Sequence, residues 1–221
     1  MRALPSLLGC LVLAAAGANA IAFAASLPTV SEKVTTASVA ATIAPATCAL
    51  AASADTYADQ NLLNKDANFG TATILNVGSL QTVALTSENK RAFVRFNVAS
   101  CGIPAGARVK TASLDLYLGT APAASRIYDV HRIVGDWTET GLTWTAQPGR
   151  AATATGSFTA AVVGSRSTDV KSDVSSFVSG TPNYGWVVKD RNEDSSTSYQ
   201  GGLNAREAAS QRPALVIGYY P

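Results

Sequence analysis

An all-β body, an antiparallel sandwich or barrel, is predicted for this chain by three observations. The first is two-residue alternation: Ala92, Val94, Phe96 and Val98 interleave with Arg91, Phe93, Arg95 and Asn97, and Leu114, Leu116 and Leu118 with Ser113, Asp115 and Tyr117. The second is punctuation. Turn signals at Pro104-Ala105-Gly106, Gln147-Pro148-Gly149 and Thr181-Pro182-Asn183 separate short strand-like runs. The third is the lack of any internal repeat, which excludes a solenoid or propeller.

Composition narrows the function classes. At 221 residues there is room for one or two domains. An apolar share of 47% is too high for a disordered chain. A net charge of +2 excludes a strongly basic nucleic-acid binder. One His, 3 Cys and 1 Met exclude a Cys/His zinc site.

In chain order, residues 1–24 are predicted to be a secretory signal peptide. Arg2 supplies a positive start, Leu7 to Ala16 an apolar stretch, and Ala18-Asn19-Ala20 or Ala22-Phe23-Ala24 a small-residue cleavage site. Cys10 falls within the removed part. The mature chain is then expected outside the cytoplasm, with no membrane span. Residues 25–52 are rich in Ala, Thr, Ser and Val and are predicted to be a flexible spacer. The domain proper is expected over 53–221. Its strand candidates are 73–77, 81–86, 91–98, 114–118, 127–133, 185–189 and Ala214–Tyr220. One short helix is expected near 169–179, with Ser172 or Asp173 as its cap and Gly180 after its end. Cys48 and Cys101 favour one disulfide in an exported chain, the other reading being two buried thiols.

Catalytic constellations are weak. His131 is the only imidazole base, and no nucleophile elbow surrounds any Ser. Glu88, Asp136, Glu139, Glu193 and Asp194 are available as carboxylates, but nothing marks a pair. The chain is predicted not to be an enzyme. The alternating Asp190, Asn192 and Asp194 are candidate ligands for a structural Ca²⁺, the alternative being turn caps; Asp55, Asp59, Asp66 and Asn68 form a second oxygen-rich stretch.

Binding signals are basic and aromatic. Arg91, Phe93 and Arg95 share one strand face, Arg126, Tyr128 and Arg132 another, and Tyr117 opposes the three leucines. Such a face suits a polysaccharide, because rings stack on sugars and guanidinium forks hold carboxylates or sulfates. The same residues also fit a solvated sheet face or internal ion pairs.

A series of short motifs then follows one order. Ala54-Asp55-Thr56-Tyr57, Asn68-Phe69-Gly70-Thr71, Arg91-Ala92-Phe93-Val94-Arg95-Phe96-Asn97, Trp137-Thr138-Glu139-Thr140-Gly141-Leu142-Thr143-Trp144, Arg206-Glu207-Ala208 and Arg212-Pro213 succeed one another. This order resembles the DNRLRE domain, which includes the family 96 carbohydrate-binding modules. The resemblance implies a jelly-roll-like β-sandwich, a secreted non-catalytic protein, and binding of acidic polysaccharide through basic residues, here Arg91, Arg95 and Arg126. It also implies that Arg206 and Glu207 pair to brace the sheets. Cys101-Gly102 departs from the pattern and supports a local bridge to Cys48.

The expected function is glycan recognition on a sheet face by Arg91, Phe93, Arg95, Tyr117, Arg126 and Tyr128. The alternative is a structural or adhesive cell-surface subunit, partnered by other surface proteins and assembling through strand edges.

Overall fold

The computed structural model describes residues 44–80, 88–195 and 197–221. The predicted signal peptide, most of the predicted spacer and the strand candidate at 81–86 lie outside them.

Two antiparallel sheets pack as a sandwich. The strands are β1 (Ala46–Ala51), β2 (Ala54–Asp59), β3 (Ile74–Val77), β4 (Lys90–Arg95), β5 (Arg108–Thr120), β6 (Arg126–Arg132), β7 (Gly156–Ala160), β8 (Gly164–Asp169), β9 (Trp186–Asp190), β10 (Gly201–Asn204) and β11 (Ala214–Tyr220). The single α-helix, α1, spans Lys171–Val178. The six-stranded sheet runs β1-β11-β5-β10-β3, with β8 on the other side of β5, and the five-stranded sheet runs β2-β4-β9-β6-β7. The long β5 is the spine of the first sheet. It pairs β8 through 113–118, β11 through 108–115 and β10 through 118–120.

Alternation explains the core. Leu114, Leu116 and Leu118 point inward from β5 and meet Val94, Phe96, Val130, Trp186 and Val188 of the opposite sheet. Burying each such side chain contributes about 1.5–3 kcal/mol. Trp186 is fully buried, and its rings lie 6.2 Å from Phe96 and 5.6 Å from Phe177. Its indole N–H donates to Asp173 Oδ2 at 2.8 Å, which ties α1 to β9. The chain enters β9 through Gly185, whose φ is +79°; a Cβ there would lie 2.1 Å from the Val94 carbonyl oxygen, so only glycine fits.

Several expectations need correction. The spacer does not extend to residue 52: Ala46–Ala51 is β1, paired in register with β11. Strands β2, β7, β8 and β10 were not among the candidates. Those of the outer positions, such as GSRSTD in β8, carry no apolar alternation. Helix α1 has no side-chain cap on Val170, and neither Ser172 nor Asp173 caps it; Asp169 Oδ1 accepts the Lys171 N–H at 2.8 Å instead. The bridge between Cys48 and Cys101 forms, tying β1 to the 3-10 turn Val98–Cys101. Gly180 follows the helix with φ +102°.

Candidate functional site

The two sheets differ in what lies on their outer faces. Register puts Ala54 and Ala58 of β2, Arg91, Phe93 and Arg95 of β4, Val187 and Lys189 of β9, and Asp129 and His131 of β6 on the outer side of the five-stranded sheet. The segment 134–150 folds back over this side. Its Trp137 and Leu142 close a second apolar cluster with Ala54, Ala58, Phe93, Ile133 and Val187, and Trp144 and Tyr184 pack against it. The indole N–H of Trp137 donates to the Tyr184 carbonyl at 2.8 Å.

The predicted binding residues on this sheet are therefore committed within the fold. Phe93 is 2% exposed, edge-on to Trp137. Arg91 forms a two-pronged pair with Glu193 (2.7 and 2.8 Å), a bond to Gln147 and a stack on Trp144 at 4.4 Å. Arg95 stacks on Trp137 and donates to Asp136 and to the Trp137 carbonyl. Tyr128 points the other way, into the core, fully buried, with its hydroxyl donating to a backbone carbonyl. Arg126 grips both oxygens of Asp190 and lies 4.3 Å over Tyr199. Strand alternation places a residue on a face correctly, but does not report whether a distant loop will cover that face.

The same accounting bears on the predicted Ca²⁺ ligands. Asp190 is 1% exposed, and its carboxylate is occupied by Arg126 and the Asn192 N–H. The Asn192 carbonyl accepts from Arg126. Asp194 exchanges hydrogen bonds with Asn89 through its side chain and its N–H. These oxygens serve protein donors.

His131 is 8% exposed, and its Nδ1–H donates to the Ala151 carbonyl at 2.9 Å. Burial holds its pKa below the ordinary 6.5, against the opposing pull of that carbonyl. The unfolded chain thus binds this proton more readily. Stability from neutral His131 is full above about pH 6.5 and is lost as the pH falls through the depressed folded value. Melting temperatures of the wild type and His131→Gln, compared from pH 8 to 5, should show the wild type losing ground on the acid side. Parallel curves would contradict this.

The outer face of the six-stranded sheet is different. Its central positions are polar on two strands, Ser113 and Asp115 of β5 and Ser165 and Ser167 of β8, beside the smaller apolar Ala214 and Val216 of β11. Ser113 Oγ lies 2.6 Å from both Asp115 Oδ1 and Ser167 Oγ, which links the two strands across the face. Tyr117 projects here, half-buried, beside a shallow cavity of about 390 Å³ also lined by Asp115, Ser165, Ser167, Gln211 and Arg212. A second hollow, about 330 Å³, lies further along β5 between Lys110, Ser113, Ser167 and Lys171. At the far end Arg108 and Lys110 lie over the ring of Tyr220. From Arg108 to Tyr117 this strip runs roughly 30 Å at the rise of a β-strand.

Charge availability follows the same division. On the five-stranded sheet and its cover, Arg91, Arg95, Arg126, Arg132 and Lys189 all pair with carboxylates. On the strip, Arg108 and Lys110 have only the Tyr220 ring among the described residues. The one side-chain bond of Arg212 is to the Ala208 carbonyl, and the Lys171 ammonium has no hydrogen-bond or ion-pair partner among the described residues. A larger cavity, about 730 Å³, opens at the end of the sandwich among Ser53, Arg95, Asn97, Phe177 and Asn183. Its polar groups are partly spent: Asn183 donates to the Phe96 carbonyl, and Arg95 is held as above.

The model for carbohydrate-binding module family 96 matches residues 46–219. The chain belongs to this family. The match begins at β1 and runs to the penultimate residue of β11, so the whole sandwich is the module. Membership supports carbohydrate binding in general, through a kind of module that is itself non-catalytic. No curated protein matches the chain. Within the module, the Trp-Thr-Glu-x-Gly-x-Thr-Trp segment is explained as a brace: Trp137, Leu142 and Trp144 cover the five-stranded sheet, while Glu139 accepts the Asp55 N–H at 2.9 Å and pairs with Arg206 at 3.0 Å. Arg206 also pairs with Glu207 at 3.2 Å. No described helix is long and apolar enough to cross a membrane.

Of the six residues expected to bind, the strip contains only Tyr117. Lys110, Lys171, Arg212, Ser165 and Ser167 were not anticipated. Lys110 was within reach of sequence reasoning, by extending the β5 alternation toward its start. The β8 serines were not, because that strand has no apolar signal.

Proposed function

We propose that the chain is a secreted, non-catalytic module that binds an acidic polysaccharide along the outer face of its six-stranded sheet. Tyr117 supplies a ring for stacking on a sugar. Ser113, Ser165, Ser167 and Asp115 offer hydroxyl-scale hydrogen bonds. Lys110, Lys171, Arg108 and Arg212 stand along the strip as cations for carboxylate or sulfate groups. The observation that carries this reading is the contrast in charge accounting: Arg91, Arg95 and Arg126 of the other sheet are paired internally, whereas the cations of this strip have no carboxylate partner among the described residues. A shallow face buries little ligand, so binding is modest and rests on several weak contacts.

Retention in gels containing a polyuronate, a sulfated galactan or a neutral glucan tests it. The module should be retarded by the anionic polymers, less so as salt is raised. Tyr117→Ala should weaken binding on the order of tenfold, equivalent to about 1.4 kcal/mol. Lys110→Ala with Lys171→Ala should weaken binding to anionic polymers selectively. Retention that survives all three changes but vanishes in Asn97→Ala would move the site to the cavity at the end of the sandwich.

A second reading, assembly through strand edges, is favoured by one feature: β1 is the outer strand of its sheet, and the Ala/Thr-rich segment leads directly into it. Sedimentation that stays monomeric at high concentration would remove it.

A further inference from the structure

Outside the strip, one group of side chains is not electrostatically closed. Asp55 of β2, Glu139 of the covering segment and Glu207 of the β10–β11 connection place carboxylate oxygens within 4.8 Å of one another. Part of this cluster is satisfied by protein. Asp55 Oδ2 accepts the Arg206 N–H at 2.7 Å, Glu139 accepts from Asp55 N–H and Arg206 Nη1, and Glu207 Oε1 pairs with Arg206 Nε. The remainder is not. Asp55 is 1% exposed, yet among the described residues its Oδ1 has no partner, and Glu207 Oε2 is likewise buried without one. The Asp55 and Glu207 carboxylates bring oxygens within 4.8 Å of each other, and each carries an oxygen that meets no donor among the described residues. A buried acceptor left unmatched costs about 1–3 kcal/mol, and more when charged.

We propose that Asp55, Glu139 and Glu207 bind a hard divalent cation, Ca²⁺ in preference to Mg²⁺, locking the covering segment and the β10–β11 connection onto β2. Three carboxylates against the single Arg206 guanidinium leave two negative charges, which one dication neutralises. The spacing fits: oxygens on opposite sides of Ca²⁺, each 2.3–2.6 Å away, stand about 5 Å apart. Glu139 and Glu207 are only half-buried, which leaves room for the waters that complete a coordination of six to eight. The all-oxygen ligand set disfavours zinc, and its mixed carboxylate geometry suits the flexible Ca²⁺ shell better than the strict octahedron of Mg²⁺. The site shares no residue with the predicted trio Asp190, Asn192 and Asp194, nor with the glycan strip.

The test is made on the full chain after chelator treatment. Titration with CaCl2 should give one site by calorimetry. At a hundredfold excess over Kd it should raise Tm by about 5–10 °C, with a smaller rise for MgCl2. Asp55→Asn and Glu207→Gln should abolish the Ca²⁺ shift. In chelator alone they should melt at or above the wild-type temperature, because they remove the repulsion. Absence of both heat and Tm shift in the wild type would overturn the proposal, whatever the variants do. So would a Ca²⁺ shift that persists in both variants.

Discussion

Replacing Trp186 by alanine is expected to destabilise the module by about 4 kcal/mol, lowering Tm by about 10 °C for a domain of this size. Trp186 is fully buried at the centre of the sandwich, between Phe96 of the β4 end and Phe177 of α1. Removing its rings leaves a cavity that the two sheets, held by their strand ladders, cannot close. A second cost is polar. Asp173 Oδ2 accepts from both the Trp186 indole and the Thr155 hydroxyl, and Asp173 Oδ1 lies 3.4 Å from Arg132. Losing the indole N–H weakens the only route by which α1 is hydrogen-bonded to β9 among the described residues. Trp186→Phe separates the two contributions. It keeps most of the bulk and removes the donor, and should cost about 1–3 kcal/mol. Denaturant unfolding with unchanged slope measures both. An alanine variant as stable as the phenylalanine variant would show that core volume is not what Trp186 supplies.

The second large effect concerns the bridge between Cys48 and Cys101. The two residues are 53 apart in sequence, a loop whose closure restricts the unfolded chain by about 4 kcal/mol on the entropy model. The bridge joins β1, which among the described residues pairs only β11, to the 3-10 turn that follows β4. Cys48→Ser with Cys101→Ser should therefore lower stability by about that amount. It should also loosen β1 before the rest: amide exchange over Ala46–Ala51 should rise by orders of magnitude while β5 and β9 remain protected. Uniform loss of protection across all strands would mean that β1 is integral to one cooperative core. An unchanged Tm would mean that the bridge adds nothing to folding.

How much of this was legible beforehand differs by element. The leucines of β5 and the Arg91–Phe96 alternation announced buried strands, because a half-buried strand writes its period into the sequence. The strand expected at Ala214–Tyr220 has those bounds in the structure, and the helix expected near 169–179 forms to within two residues. Strand β2 was not legible as a strand. All six of its residues are buried, but two are Asp: Lys90 and Asn64 meet the Asp59 carboxylate, and the Arg206 N–H meets one oxygen of Asp55, all from outside the strand. Such a run looks polar until its partners are known. Strands β7 and β8 are silent for the opposite reason, since they lie at sheet edges and bury few side chains.

The candidate site was legible only in part. Alternation placed Tyr117 opposite the leucines correctly and put Arg91 and Arg95 on an outward face. It had no means of recording that 134–150 would return over that face, or that Glu193, Asp136 and Asp190 would meet the arginines. Those partners are 41 to 102 residues away in sequence.

Local order, then, was settled by the amino acids themselves: period-two patterning sorts side chains to the two sides of a strand, and turn residues end it. Which of two outward faces stays open to a ligand, and which charges are left without partners, was settled by folding. Ion pairing and coverage are contacts between distant segments, and their energies depend on positions in space that no local pattern encodes.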